Sequence, residues 1–267
     1  MTGGVLLDFD GTLVDTFDDI VEAVQRMRAE LGGPALPADE VRRHIGWGTR
    51  NLIGQCLPSS DALRPDRLPP DGNVVLFARD EVEDGLARFL RIYGGTMLLR
   101  SRPYPGLPEM CRSLAGDGFA LAVVSNKQDA IVRRMLASLQ LADPIRVVVS
   151  AGSVPRNKPD PMMLRVAAER MGLPLARCVM VGDGPLDVAA AHAAGIPCCA
   201  VSWGLLAPEA LIRLGPAALV DSADELEAWI RKTLRARAWS EGRGPAADPL
   251  PPGPGSPCPS RAGDPSQ

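Results

Sequence analysis

Asp8 and Asp10 stand two residues apart at the end of the apolar run Val5-Leu6-Leu7, within Asp8-Phe9-Asp10-Gly11-Thr12-Leu13. A short run of this kind reads as a buried parallel strand. Side chains alternate along a strand, so both carboxylates would project together from its carboxyl end. That is the edge at which open α/β sheets place their ligands. Desolvating unpaired carboxylates is costly, so folding alone gives no reason for the pair. A hard divalent cation such as Mg2+ removes the penalty, and it favours one or two carboxylates together with phosphate oxygens and waters.

Three further strand ends carry groups of matching chemistry. The run Phe119 to Val124 leads into Ser125-Asn126, where a hydroxyl and backbone N–H groups at a helix start can hold phosphate oxygens. Lys158, in Arg156-Asn157-Lys158-Pro159-Asp160-Pro161, precedes a proline-initiated helix and can bring a positive charge to the same place. Gly182-Asp183-Gly184-Pro185-Leu186-Asp187 ends another apolar run and offers two carboxylates one helical turn apart. Taken singly, Asp183 or Asp187 reads equally as an N-cap, Ser125 better as a cap, and Lys158 as a solvated lysine. Neither capping nor solvation explains Asp8 inside an apolar strand. The four features in this order favour one shared crevice.

The elements that position these residues follow from periodicity. Phe17 to Leu31 has Ile20, Val24, Met27 and Leu31 at helical spacing, with Gly32-Gly33-Pro34 as a stop. A second helix follows Pro37 through Ile45, the glycine-flanked turn Gly46-Trp47-Gly48-Thr49-Arg50 leads into an apolar segment, and residues 58–72 read as an exposed loop. A helix over residues 74–93 is ended by Gly94-Gly95. Residues 16–95 are thus a helical block without a convincing strand. Beyond it, helices over 107–115, 129–141, 159–171, 185–194 and 224–234 alternate with strands over 119–124, 145–149, 178–181, 198–202 and 217–220. This rhythm predicts an α/β fold: a Rossmann-like, doubly wound parallel sheet with an inserted helical cap. The core takes residues 1–15 and 96–239 and the cap 16–95. Residues 240–267, rich in Pro, Gly and Ser and without periodicity, read as a disordered tail.

Composition excludes several classes of function. With 29 basic and 32 acidic residues and a formal net charge of -3, the chain has no electrostatic case for binding nucleic acid. It has neither an apolar run long enough for a membrane span nor a basic start followed by a long apolar segment, so a cytoplasmic protein is expected. The six cysteines (Cys56, Cys111, Cys178, Cys198, Cys199 and Cys258) form no Cys-x-x-Cys pair, which argues against zinc and for small thiols in a reducing compartment. A monomer or homodimer is expected.

In order and spacing, the four motifs resemble the haloacid dehalogenase superfamily of phosphohydrolases: Asp-x-Asp-Gly-Thr-Leu at 8–13, Ser125-Asn126, Lys158-Pro159-Asp160-Pro161, and Gly182-Asp183 with Asp187. Tyr104-Pro105-Gly106, the 189–195 stretch and the helical insertion after the first motif look like the phosphoglycolate phosphatase branch. Gly184 departs from the Ser more common there. The resemblance implies a Mg2+-dependent hydrolase of a small phosphorylated metabolite. Asp8 would be the nucleophile that forms an aspartyl-phosphate, and Asp10 the general acid and base. Mg2+ would bind Asp8, the Asp10 main-chain carbonyl and Asp183, with Asp187 in support. Gly11 and the backbone after Asp10, Ser125, Asn126 and Lys158 would hold the phosphoryl group. Arg50 is the candidate for a second anionic group of the substrate, because a guanidinium fork suits bidentate anion binding. Arg42 and Arg43 read as a solvated basic face, His44 as a packed or surface histidine, and Trp47 as an anchor of the cap. The alternatives are a pyrophosphatase, a sugar-phosphate phosphatase, a β-phosphoglucomutase-like phosphotransferase, or a non-catalytic binding module on the same fold. An acid at Asp10 disfavours dehalogenases and transport ATPases.

Overall fold

The structure is a computed structural model that describes residues 2–63 and 79–242. In chain order it comprises β1 (Gly4–Leu7), β2 (Val14–Asp15), α1 (Phe17–Glu30), α2 (Ala38–Arg42), α3 (Thr49–Cys56), α4 (Arg79–Thr96), β3 (Arg102–Pro103), α5 (Leu107–Gly116), β4 (Ala120–Gln128) and α6 (Asp129–Ser138). It continues with β5 (Val147–Ala151), α7 (Met162–Arg170), β6 (Cys178–Gly182), α8 (Pro185–Ala194), β7 (Cys198–Val201), α9 (Pro208–Arg213), β8 (Ala218–Val220) and α10 (Ala223–Gly242). Six strands pair in the order β5-β4-β1-β6-β7-β8, every pair parallel. No helix among the described residues is long and apolar enough to cross a membrane.

Period-two alternation divides the strands between two apolar layers. Val5, Leu7, Leu121, Val123, Val179 and Val181 join one core with α5, α6 and α10, while Leu6, Ala122, Val124, Cys178 and Met180 join another with α7 and α8. Both faces are covered, which is the doubly wound arrangement expected from the sequence. β1 lies between β4 and β6, with Leu7 level with Val123 and Val181. The residues that follow these three positions therefore emerge side by side at the carboxyl edge, where the chain switches direction across the sheet.

Helices α1 to α4 lie between β2 and β3, two short strands that pair antiparallel at the base of the insertion. Their apolar faces join the layer of the sheet that carries Leu7 and Val123. Buried Arg28 ties the block internally by donating from Nε to the Pro34 carbonyl at 2.7 Å and from Nη1 to that of Cys56 at 2.8 Å. The Asp19 carboxylate accepts from the Ser101 N–H at 2.8 Å and its hydroxyl at 2.7 Å, anchoring the return of the chain.

Several boundaries differ from those expected. α4 runs through Gly94-Gly95 to Thr96, because Ile92, Tyr93, Thr96 and Met97 are buried around the two glycines and the Thr96 hydroxyl bonds the Ile92 carbonyl at 3.1 Å. Burial on one face outweighs a propensity penalty of about 1 kcal/mol per glycine. The expected start of this helix, residues 74–78, lies outside the described residues. So does much of the expected 58–72 loop, whose first part forms a 3-10 turn over Pro58–Leu63. β4 does not stop at Val124 but continues through Ser125-Asn126 to Gln128, with an irregular register against β5. β5 begins two residues later than expected, at Val147. α10 reaches Gly242 and so takes in the first residues of the expected tail; residues 243–267 lie outside the description. The five described cysteines are buried.

Candidate active site

Asp8 leaves the tip of β1 with its N–H bonded to the Val181 carbonyl at 2.9 Å, which locks it to the adjoining strand. Asp183 follows β6, and Asp187 sits in the first turn of α8. Carboxylate oxygens of Asp8, Asp183 and Asp187, all buried, lie within 4.8 Å of one another. The Lys158 ammonium bridges two of them, at 2.8 Å from Asp8 Oδ1 and 2.6 Å from Asp187 Oδ1. Asp183 accepts from the Thr12 hydroxyl at 2.9 Å and the Leu205 N–H at 3.0 Å, and Asp187 from the Gly184 N–H at 3.1 Å.

Glycine is required on two sides of this cluster. Gly11 has φ +82, and a Cβ there would run into the Asp183 carboxylate; a Cβ on Gly182 would overlap Asp187. The backbone thus approaches the acids closely from both the β1 and the β6 loops.

The charges do not balance. Three carboxylates face one ammonium, and the Asp8 carboxyl is pushed up to about 8, first by burial and then by Asp187 and Asp183, with Lys158 opposing. Asp183 is pushed up to about 7, again first by burial and then by Asp187. Lys158 stays charged: burial pulls its pKa down, but Asp187 and Asp8 raise it further. The donors are hard oxygens, the main-chain carbonyl of Asp10 lies on the same loop, and the excess charge is negative. This set fits a small divalent cation.

Asp10 is not part of that carboxylate cluster. Its Oδ1 accepts from the Thr16 hydroxyl at 2.6 Å and from the Lys127 ammonium at 2.7 Å. Lys127 is buried, lies 4.7 Å from the centroid of the Tyr93 ring, and has a raised pKa because Asp10 and Tyr93 outweigh the effect of burial. It is absent from the residues that the sequence pattern singles out, although the signal was available: like Asp8, it is a charge at the end of a strand whose interior is otherwise buried.

Ser125 is buried beside these groups, its Oγ accepting from the Lys127 N–H at 3.3 Å. Two expected substrate ligands have protein partners in this structure. The Asn126 amide is taken up by protein: Oδ1 accepts from the Lys158 N–H at 3.0 Å, and Nδ2 donates to the Lys158 carbonyl at 3.0 Å and the Gly46 carbonyl at 3.2 Å. It braces the Lys158 loop against the cap turn. Arg50 points away from the site: its side chain is exposed and pairs with Glu83. The reason is its place on α3, which turns its neighbours Thr49 and Leu52 inward instead. A cleft of about 740 Å³ runs from Asp8, Asp183 and Lys158 to Arg42, Arg43 and Trp47, and Arg42 in it pairs with Asp18 at 3.0 Å.

Relatives are consistent with this geometry. The sequence profile of the haloacid dehalogenase-like hydrolases matches residues 5–201. A phosphoglycolate phosphatase of Cupriavidus necator, named as the plasmid form, is 40% identical over 224 residues, covering 84% of this chain and 91% of that protein. The phosphoglycolate phosphatase of Nitrosospira multiformis is 33% identical over 229 residues, 86% of this chain and 96% of its own. A crystal structure titled as a predicted phosphoglycolate phosphatase from Haemophilus somnus superposes with a TM-score of 0.73 at 25% identity, over 84% of this chain and 96% of that one. The chain therefore belongs to the haloacid dehalogenase-like hydrolases and is a phosphatase of their phosphoglycolate phosphatase-like branch.

Proposed function

We propose that the enzyme hydrolyses a small phosphomonoester through an aspartyl-phosphate on Asp8, with Mg2+ as cofactor and 2-phosphoglycolate as the foremost substrate. The observation that carries this reading is the gathering of buried Asp8, Asp183 and Asp187 around Lys158 at one sheet edge. Asp8 and Asp183, the Asp10 carbonyl and, in support, Asp187 would hold Mg2+, which when bound supplies the charge that lets an anionic nucleophile approach an anionic phosphoryl group.

The protein's own groups divide the work. An Asp8 carboxylate oxygen bonds to phosphorus as the bond to the leaving oxygen breaks, and Asp10 gives its proton to that oxygen. Asp10 then takes a proton from the water that attacks phosphorus, and the bond to Asp8 breaks to release phosphate. Lys158 and the Ser125 hydroxyl hold the phosphoryl oxygens as charge shifts between them. Residues 16–95 act as the cap over the cleft, and the reaction is placed in the cytoplasm.

Phosphate release measured on 2-phosphoglycolate, pyrophosphate and hexose phosphates, with and without Mg2+, tests the proposal. Release from 2-phosphoglycolate that depends on Mg2+ supports it. Preference for pyrophosphate or a hexose phosphate replaces the substrate, and retention of the phosphoryl group on a sugar would make the enzyme a phosphotransferase.

A further inference from the structure

On the Asp10 side of the site a second, smaller cavity of about 40 Å³ is lined jointly by core and cap, with Asp10, Lys127, His44, Thr49 and Tyr93 in its wall. It has room for roughly a few water-sized groups, which admits a carboxylate with its methylene. Three features give it an affinity for anions. The Lys127 ammonium carries three donors; Asp10 and Tyr93 engage two directions and leave one for a ligand. Helix α3 begins at this wall with Gly48 as its N-cap and no side chain capping it, so the first-turn N–H groups present their partial positive charge here. His44, 8% exposed, lines the same cavity, and its buried Nδ1 has no hydrogen-bond partner among the described residues. Burial, with Arg43 nearby, holds the imidazole below its ordinary pKa, so the neutral ring can offer one N–H.

We propose that this cavity selects the leaving group: Lys127, with His44 and the first turn of α3, binds a carboxylate carried one carbon from the ester oxygen. The spacing follows from the site. Asp10 is to protonate the ester oxygen, and the Lys127 ammonium lies 2.7 Å from the Asp10 carboxylate, so a substrate touching both must hold its two groups close together. Recognition thus falls to a lysine of the core and a histidine of the cap, and not to Arg50. It also completes only when the cap is seated, because Thr49 and His44 belong to the insertion.

The inference rests on the phosphatase reading, and the experiment separates the two. kcat/KM is measured with Mg2+ for 2-phosphoglycolate and for ethyl phosphate, in which a methyl group replaces the carboxylate. The wild-type enzyme is expected to prefer 2-phosphoglycolate by about 100-fold or more. The preference is expected to fall by about 30-fold in Lys127→Met and about 5-fold in His44→Gln, chiefly through KM. Because both substrates share Asp8 and Asp10, the ratio cancels any effect of the substitutions on chemistry. Should Lys127→Met be inactive or misfolded, the ratio in His44→Gln decides. A wild-type enzyme without preference, or a ratio kept within about twofold in the variants, overturns the carboxylate pocket while leaving the phosphatase intact. Hydrolysis of neither ester overturns 2-phosphoglycolate as the substrate, the reading on which the inference rests.

Discussion

Two buried lysines flank the Asp8-Phe9-Asp10 segment, and the difference between their surroundings shows how one sheet edge can serve ions of opposite sign. Lys158 bridges Asp8 and Asp187 with Asp183 adjoining, so carboxylates outnumber ammonium groups three to one. Lys127 meets a single carboxylate, that of Asp10, which also has the Thr16 hydroxyl, while the face of Tyr93 covers the ammonium. The first half is left with excess negative charge, which a divalent cation offsets. The second is neutral as it stands, and an uncapped helix start adds positive potential, so it accepts an anion. The two halves meet at the backbone between Asp8 and Asp10, where phosphoryl transfer would occur.

The largest effects are expected in the acidic half. Asp8→Asn is expected to lower phosphate release by at least about 10⁴-fold, because the proposed nucleophile is gone. Its thermal midpoint without metal is expected not to fall, since one crowded carboxylate is removed while an amide oxygen remains to accept from Lys158. Activity that survives would remove Asp8 from its role. Next comes Lys158→Met, which leaves three buried carboxylates facing one another and is expected to cost about 3–5 kcal/mol in urea unfolding. Lys127→Met is expected to cost about 1–3 kcal/mol, because Asp10 keeps the Thr16 hydroxyl. Equal losses would erase the distinction between the two halves.

The same contrast fixes a pH dependence. Asp8 and Asp183 titrate near 8 and 7 in the folded chain against 3.8 as the reference value, so over that range the folded state holds protons the unfolded chain has released. Their contribution to stability is fully present below the unfolded value and is lost as pH rises through the folded ones. The melting temperature of metal-free protein is thus expected to fall between about pH 5 and pH 8. The proposed Mg2+ would bind the ionised acids, so its stabilising shift is expected to be larger at about pH 8 than at about pH 6. Thermal melts in chelator and in excess Mg2+ check both; a shift that ignores pH would mean the acids are not the cation's ligands.

The two halves also differ in how readable they are from sequence. Asp8 breaks a local rule by placing a charge inside an apolar strand, and Gly11 and Gly182 mark the backbone's approach to the acids. Such local contradictions are visible without coordinates, and parallel pairing of β1 with β4 and β6 does the rest. The other half depends on how the helical insertion docks. His44 reads as no more than a packed or surface histidine until α3 settles over β4, and Lys127 means little until Asp10 is seen to turn away from its neighbour acids. The Gly94-Gly95 stop failed for a related reason: burial of Ile92, Tyr93 and Thr96 is a tertiary fact that propensity does not carry.

The smallest expected effect sharpens the boundary of the anion-binding half. Arg50 was the cap residue whose side-chain chemistry best suited a substrate carboxylate, yet it is exposed and paired with Glu83 across the α3–α4 surface. Exposed ion pairs of this kind contribute about 0–1 kcal/mol, since solvent screens the charges and both side chains lose freedom. Arg50→Ala is therefore expected to change unfolding free energy by under about 0.5 kcal/mol and kcat/KM for 2-phosphoglycolate by under about threefold. A loss confined to KM and as large as that of Lys127→Met would show that Arg50 swings into the cleft when substrate binds. It would then return the second anion site to the cap surface, away from Lys127 and His44.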